Sequence, residues 1–188
     1  PGDAVLVAGY IGVEAASILA HTHSDRLRRS FDRSFLDRAA RAIVRPGISV
    51  SRIADDLWER FDVKMMHDPT EGGISAAIHE VCRHYKAGCV IDARRLRFYP
   101  PALRLAQHFG ISPLGMISSG CLLVFMGAKE AAAARNHLRR KGIPCEIAGR
   151  IVPAAQGIVL VTESGAVPLP EFWTDELARL GEKAIPNR

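Results

Sequence analysis

The sequence lacks the marks of a stapled, secreted or membrane-inserted chain. Its four cysteines, Cys82, Cys89, Cys121 and Cys145, show neither the two-residue spacing of a zinc site nor a disulfide framework. They read as buried structural thiols of a reducing compartment, and the cytoplasm is the expected location. Aromatic residues make up only 6%, too few for an evident base-stacking platform. No apolar run approaches the ~20 residues of a membrane helix. The longest, Ala4 to Ala20, is interrupted by Gly9, Gly12 and Glu14. Glycine and proline together supply about 14%, which excludes a collagen-like or low-complexity chain. No basic leader precedes the first apolar stretch. Pro1-Gly2-Asp3 is no initiator sequence, so the chain reads as the carboxy-terminal part of something longer.

What is present is ordinary for a folded domain. The 188 residues suit one domain or two small ones, with 48% hydrophobic and 24% charged residues. Such a length buries a core without metals or disulfides. Lys and Arg number 25 against 20 Asp and Glu, a net charge of +5. Six arginines between Arg26 and Arg41 are interleaved with Asp25, Asp32 and Asp37, with Arg28/Asp32 and Arg33/Asp37 four apart. Leu27, Phe31, Phe35 and Ala39 form the opposite stripe. This predicts a surface helix laced with ion pairs rather than a nucleic-acid patch.

Strands and helices alternate along the chain. Strands are expected at about 4–9, 89–91, 122–126, 144–151 and 157–161, and helices at about 12–20, 24–43, 50–61, 70–85, 101–109 and 128–140. Ser49 is a candidate cap for the third helix, Pro100-Pro101 open the fifth and Gly110 ends it. Met66-His67 falls in a loop. The pattern implies an α/β (α+β) fold, a layered mixed sheet flanked by helices. Residues 1–167 form the domain and 168–188 a Pro-rich, then polar, tail.

The densest local signal is His67-Asp68-Pro69-Thr70-Glu71-Gly72-Gly73-Ile74. Asp68 fits an N-cap, Pro69 the N1 position and Glu71 the third residue of a capping box. Ile74, Ala77, Ile78, Val81 and Cys82 then give a helical apolar stripe. Capping alone leaves Gly72-Gly73 unexplained, because each glycine in a helix costs roughly 1 kcal/mol relative to Ala. A glycine pair suits either close backbone packing or an anion approaching exposed N–H groups at the helix start. On the anion reading, Gly73→Val should abolish nucleotide binding and leave the melting temperature nearly unchanged. His67, directly before this segment, is a candidate to face the ligand. Val5-Leu6-Val7-Ala8-Gly9-Tyr10-Ile11-Gly12 is a strand entering a Gly-x-x-Gly turn, weaker than a dinucleotide fingerprint. His21-x-His23 lacks an acidic or thiol companion and reads as a surface or capping pair. His79 and Glu80 read as exposed polar positions.

Gly2-Asp3-x-Val5-Leu6-Val7-x-Gly9-x-Ile11-Gly12 and Met66-His67-Asp68-Pro69-Thr70-x-Gly72-Gly73 together resemble the carboxy-terminal domain of the aminoimidazole ribonucleotide synthetase superfamily. Ile111-Ser112-Pro113-Leu114 and Ser118-Ser119-Gly120-Cys121-Leu122 match its later loop-to-strand passage. Within the superfamily the chain looks most like the hydrogenase-maturation carbamoyl dehydratases and their synthetase-related relatives, over about residues 2–165. The resemblance implies an ATP-dependent enzyme of ligase or lyase type that activates an amide or similar oxygen by phosphoryl transfer. ATP and Mg2+ would lie between this domain and an upstream ATP-binding domain supplying the acidic metal ligands. His67, Asp68, Thr70, Gly72 and Gly73 would face that cleft, with Gly9 and Gly12 holding the first turn. No metal ligand is assigned to this chain, and alone it should bind ATP weakly. The partners implied are a nucleotide, a small-molecule or protein amide substrate and, as one arrangement, a homodimer; neither nucleic acid nor a membrane is expected.

Three departures bear on the activity. Glu14-Ala15 stand where the dehydratase branch commonly has His-Gly, and Ser118-Ser119-Gly120 where it has an acidic triplet. The chain ends Ala184-Ile185-Pro186-Asn187-Arg188 without the terminal substrate-carrying Cys, so dehydration of a tail thiocarboxamide is not expected. No residue is an evident nucleophile. The alternative is a non-catalytic nucleotide-, anion- or protein-binding domain with a regulatory role. For the cysteines, intact-mass measurement with and without thiol alkylation is expected to show four free thiols and no zinc; two or more bridges would overturn this reading.

Overall fold

The segment Ala4-Val-Leu-Val-Ala-Gly9 has no polar side chain, and it forms β1 (Ala4–Gly9), an inner strand of the sheet buried along its whole length. The structure, a computed structural model, describes residues 1–183. After β1 come α1 (Val13–Thr22), a single turn α2 (Ser24–Leu27), α3 (Arg33–Ala40) and α4 (Ser51–Arg60). Next are β2 (Val63–His67), α5 (Gly73–His84), β3 (Ala87–Asp92), α6 (Pro100–Phe109), β4 (Cys121–Met126) and α7 (Ala128–Arg140). The chain closes with β5 (Cys145–Pro153), β6 (Ile158–Thr162), β7 (Gly165–Pro168) and α8 (Glu176–Lys183). The seven strands lie in the order β2-β4-β1-β5-β3-β6-β7, antiparallel except for the parallel pair β3–β6. This is the mixed, helix-flanked sheet expected from the alternating pattern.

Alternation along the strands divides the core, because successive side chains point to opposite faces. Val5, Val7, Leu123 and Phe125 pack with α5 residues Ile74, Ile78 and Val81 on one face. Leu6, Val124 and Met126 pack with Leu57 of α4 and Leu138 of α7 on the other. A third cluster joins Leu19, Phe35, Leu105 and Met116 beyond the end of the sheet. All four cysteines are buried and unbridged. Among the described residues no helix is long and apolar enough to cross a membrane.

Several expected elements differ. The Arg-rich helix 24–43 is broken at residues 28–32. Asp32 adopts an extended conformation, and its carboxylate accepts from the Phe35 N–H at 2.8 Å, capping a new helix instead of pairing with Arg28. Arg28 pairs with Asp25 at 3.2 Å, while Arg33–Asp37 forms as expected at 3.7 Å. α4 begins at Ser51 after Val50, without a cap from Ser49. Met66 and His67 lie in β2 rather than a loop, because β4 offers a partner edge that no local pattern reveals. The segment after β7, expected as a tail, returns to the domain. Leu169 is buried, Ser75 Oγ donates to the Pro170 carbonyl and Arg83 pairs with Glu171. His79, expected to be exposed, is half-buried and donates through Nε2 to the Leu169 carbonyl at 3.0 Å. Residues 184–188, where the chain-end expectation falls, lie outside the described residues.

One carboxylate ties α4 to α7. Asp56 accepts from Lys141 Nζ at 2.7 Å, Arg60 Nε at 2.9 Å and His137 Nε2 at 2.7 Å. Lys141, Arg60 and His137 hold its carboxyl well below the usual carboxylate range. A depressed folded-state pKa contributes stability above the unfolded value that is lost as pH falls through the folded one. Asp56→Asn should therefore be less stable than the parent at neutral pH, with the gap closing below about pH 4. Urea melts across that range check this; a gap that stays constant would remove Asp56 as its source.

Candidate functional site

The predicted site residues gather at one end of the sheet. Gly9 ends β1 opposite Cys121, and His67 ends β2 opposite Leu123, so the segments after β1 and β2 flank the entry into β4. Gly9 has a left-handed φ of 86°, and a Cβ there would stand 2.2 Å from the Gly120 carbonyl oxygen. Gly12, φ 79°, precedes α1, where a Cβ would meet Ala102 and Met116. Both glycines are accounted for by turn geometry and close packing. Glu14, in the first turn of α1, is near enough to Asp68 for its charge to act on that carboxyl.

The Asp68–Gly73 segment does not form the helix start expected of it. Gly72 and Gly73 have φ of 72° and 66°. Two consecutive left-handed residues cannot continue a right-handed helix begun at Thr70. α5 therefore starts at Gly73, with Gly72 as a cap that has no side chain, and Asp68 and Glu71 cap nothing. The Thr70 carbonyl instead accepts from Gly73 N–H at 3.1 Å and Ser118 N–H at 3.3 Å, pinning the loop to the passage before β4.

The helix start is already served by an anion from within the chain. Asp175, 103 residues away, accepts the Gly72 N–H at 3.0 Å and the Leu177 N–H at 2.9 Å, with the Ile117 N–H near enough to act on its carboxyl. Burial raises the Asp175 carboxyl above its usual range and Glu71 adds to this, while the three N–H donors oppose it. A Cβ on Gly73 would lie 2.5 Å from both the Leu114 and Met116 carbonyl oxygens. A phosphate consequently does not fit on Gly72–Gly73: a carboxylate holds the donor, and carbonyls close the space. The expectation that a side chain at 73 leaves stability untouched is corrected by the same contacts.

His67, Asp68 and Thr70 remain at the rim. Thr70 and Asp68 are exposed, and the protein wall behind Asp68 raises its carboxyl; the His67 side opposes this and Glu14 adds to it. His67 Nε2 donates to Glu80 at 2.8 Å, while its Nδ1 is buried with no partner among the described residues. The rim is acidic, with Asp68, Glu14 and Glu71 and no lysine or arginine beside them in sequence. It repels phosphate unless a cation or a basic partner intervenes. Among the described residues no three His, Cys, Asp or Glu side chains converge to hold a metal ion. Sequence reading missed Asp175. Its local role, capping α8 through Leu177, was visible beside Glu176, but its bond to Gly72 was not.

A family described as AIR synthase related protein, C-terminal domain, matches residues 1–162. The carbamoyl dehydratase HypE of Rhizobium leguminosarum bv. viciae is 25% identical over 179 residues, 94% of this chain and 48% of that protein. The crystal structure of Escherichia coli HypE, a hydrogenase maturation protein, superposes with TM-score 0.75 at 22% identity, covering 95% of this chain and 52% of that one. A HypE structure in complex with ATP superposes with TM-score 0.70 at 20% identity, covering 92% and 51%. The chain spans about half the length of the curated relatives it matches.

Gly73→Val should destabilise the protein. Left-handed strain of roughly 1–2 kcal/mol adds to the displacement of two backbone carbonyls. At about 2–4 °C per kcal/mol for a domain of this size, the melting temperature should fall by at least about 5 °C. An unchanged melt would show that the loop of residues 114–116 gives way freely.

Proposed function

The chain belongs to the AIR synthase related protein family as its C-terminal domain, and from this we propose that it is one half of an ATP-dependent enzyme of the dehydratase or synthetase type. The enzyme would activate an amide or similar oxygen of a small molecule or protein by phosphoryl transfer. The single observation that carries the reading is the family match along residues 1–162, which includes a sheet end where Asp68 and Thr70 lie exposed, and His67 partly so, beside the Gly9–Gly12 turn. The nucleotide phosphates and Mg2+ would be held mainly by an amino-terminal domain. The His67–Thr70 rim would close over them from this side, with Mg2+ offsetting the charge of Asp68. The HypE structure with ATP supports nucleotide use in the relatives.

One observation favours a second reading. The Gly72 N–H, which would otherwise meet an anion, is capped by Asp175. A domain with an internally satisfied helix start suits a non-catalytic regulatory or protein-binding role equally well.

Calorimetric titration with Mg·ATP separates the two. The polypeptide joining this domain to its amino-terminal half should bind Mg·ATP, and the 188-residue chain only weakly. Asp68→Asn, at an exposed position, should lower ATP turnover about tenfold with the melting temperature unchanged, the loss that follows if its charge contributes roughly 1.4 kcal/mol to transition-state stabilisation. Equal Mg·ATP affinity of the two polypeptides, with Asp68→Asn silent, would establish the regulatory reading instead.

A further inference from the structure

On the β5 side of the same sheet end, tertiary folding assembles arginines that are scattered in sequence. Arg94, Arg95 and Arg97 follow β3, and Arg135 and Arg139 lie one turn apart on α7. Together they line an open basin of about 510 Å³ with Asp92 and Glu146. Five guanidinium charges face two carboxylates, so the basin is strongly positive.

The guanidiniums are not loose surface charges. Glu146 is buried, and its Oε1 accepts from Arg97 Nε at 3.1 Å, from Arg97 Nη2 at 2.9 Å and from Arg139 Nη2. Arg139 Nε donates to the Cys145 carbonyl at 2.9 Å. Burial pushes the Glu146 carboxyl up, but the two arginines outweigh it and hold the group below its usual range. Glu146 thus stays ionised and fixes both guanidiniums, leaving their remaining N–H donors toward the basin. Arg94 is clamped on Asp92 through two bonds of 2.9 and 2.8 Å. Arg95 reaches Asp92 only at 3.6 Å, and among the described residues Arg135 meets no carboxylate. Fixed donors lose little side-chain freedom on binding, which favours recognition over mere solvation.

Arg97, Arg139 and Glu146 also form one wall of an adjoining hollow of about 500 Å³ lined by Tyr10, Phe98, Pro100 and Leu103. Leu103 is among the exposed large apolar side chains. Arginines beside an aromatic and aliphatic wall suit an extended chain bearing carboxylates and one large apolar side chain. A small phosphate ligand would want enclosure, and the guanidiniums here are about half exposed. Duplex nucleic acid would want phosphate contacts strung along a line rather than gathered in a basin.

We propose that the basin formed by Arg94, Arg95, Arg97, Arg135 and Arg139, with the Tyr10–Phe98–Leu103 wall, is a docking surface for an acidic peptide segment of a partner protein. It is separate from the His67–Thr70 rim and does not depend on the domain being an enzyme. The test is fluorescence anisotropy of the full chain with a labelled decapeptide of Asp and Glu carrying one central Leu. Binding should weaken about tenfold between low and physiological salt. Arg95→Glu/Arg135→Glu, at the two least engaged arginines, should weaken it at least about tenfold with an unchanged melting temperature. Should that pair fail to fold, Arg95→Ser/Arg135→Ser carries the same expectation. Arg28→Glu/Arg33→Glu, at arginines that line a separate hollow with His21 and Leu36, should leave affinity within about twofold. Equal affinity in the parent and the basin variants, no peptide binding at low salt, or displacement of the peptide by equimolar pyrophosphate or duplex DNA would each overturn the proposal.

Discussion

At the end of the sheet four loops meet closely, with little room for a side chain between them. Gly9 touches the Gly120 carbonyl, Gly73 sits beneath the Leu114 and Met116 carbonyls, and Gly120 itself faces Gly47 and Ile48. These glycines also carry left-handed φ values that other residues avoid. The approach brings the starts of α1 and α5 to the mouth of β4. It thereby places Glu14 near Asp68 and presents His67 and Thr70 at one rim. Were a Cβ to separate these loops, the rim residues would part company even with the sheet intact. Close packing, more than any side-chain contact, sets the geometry of this end of the domain.

That constraint changes what the glycine-rich motif means. Glycines before a helix suggest donors left open for an anion, and here the donor at Gly72 is filled by Asp175 from the returning segment. An unpaired buried N–H costs about 1–3 kcal/mol. The chain avoids that cost with a carboxylate whose desolvation is only partly offset by the backbone N–H groups around it, so its pKa is raised. Segment 169–177 is thus part of the domain's closure: Leu169 plugs the α5 face, Asp175 caps the helix start, and Glu176 accepts from Ser112 N–H at 2.9 Å.

Much of the fold was legible in the sequence because periodicity and punctuation carried it. The apolar run of β1, the Pro100–Gly110 helix and the Ala128–Arg140 helix lie within a residue or so of where their patterns place them. What failed depended on partners distant in sequence. β2 reads as loop until β4 supplies its edge, and Asp32 reads as an ion-pair partner until its carboxylate proves to be a helix cap. The site was legible as a neighbourhood rather than as chemistry. His67, Asp68, Thr70 and the four glycines do share one end of the sheet, but the roles within that group are redistributed. Asp68 looked like a cap and is an exposed rim carboxyl; Gly72 and Gly73 looked like an anion cradle and are packing positions.

Charge separates the two sides of this end of the sheet. The β2 side carries Asp68, Glu14 and Glu71, with Arg83 beside Glu71 engaged by Glu171, and the β5 side carries the arginines around Glu146. Neither follows from the net charge of +5, which is spread along the chain. The separation arises from topology. β1 lies between β4 and β5, so the loops after β1 and β2 gather acidic residues on one flank, while the segment after β3 and the face of α7 gather basic ones on the other. The β2-side rim then requires a cation or a basic surface opposite it before any phosphate can approach. The β5-side basin requires the reverse, a partner that brings negative charge. One end of a single sheet thus presents two surfaces of opposite charge, kept apart by the strands between them.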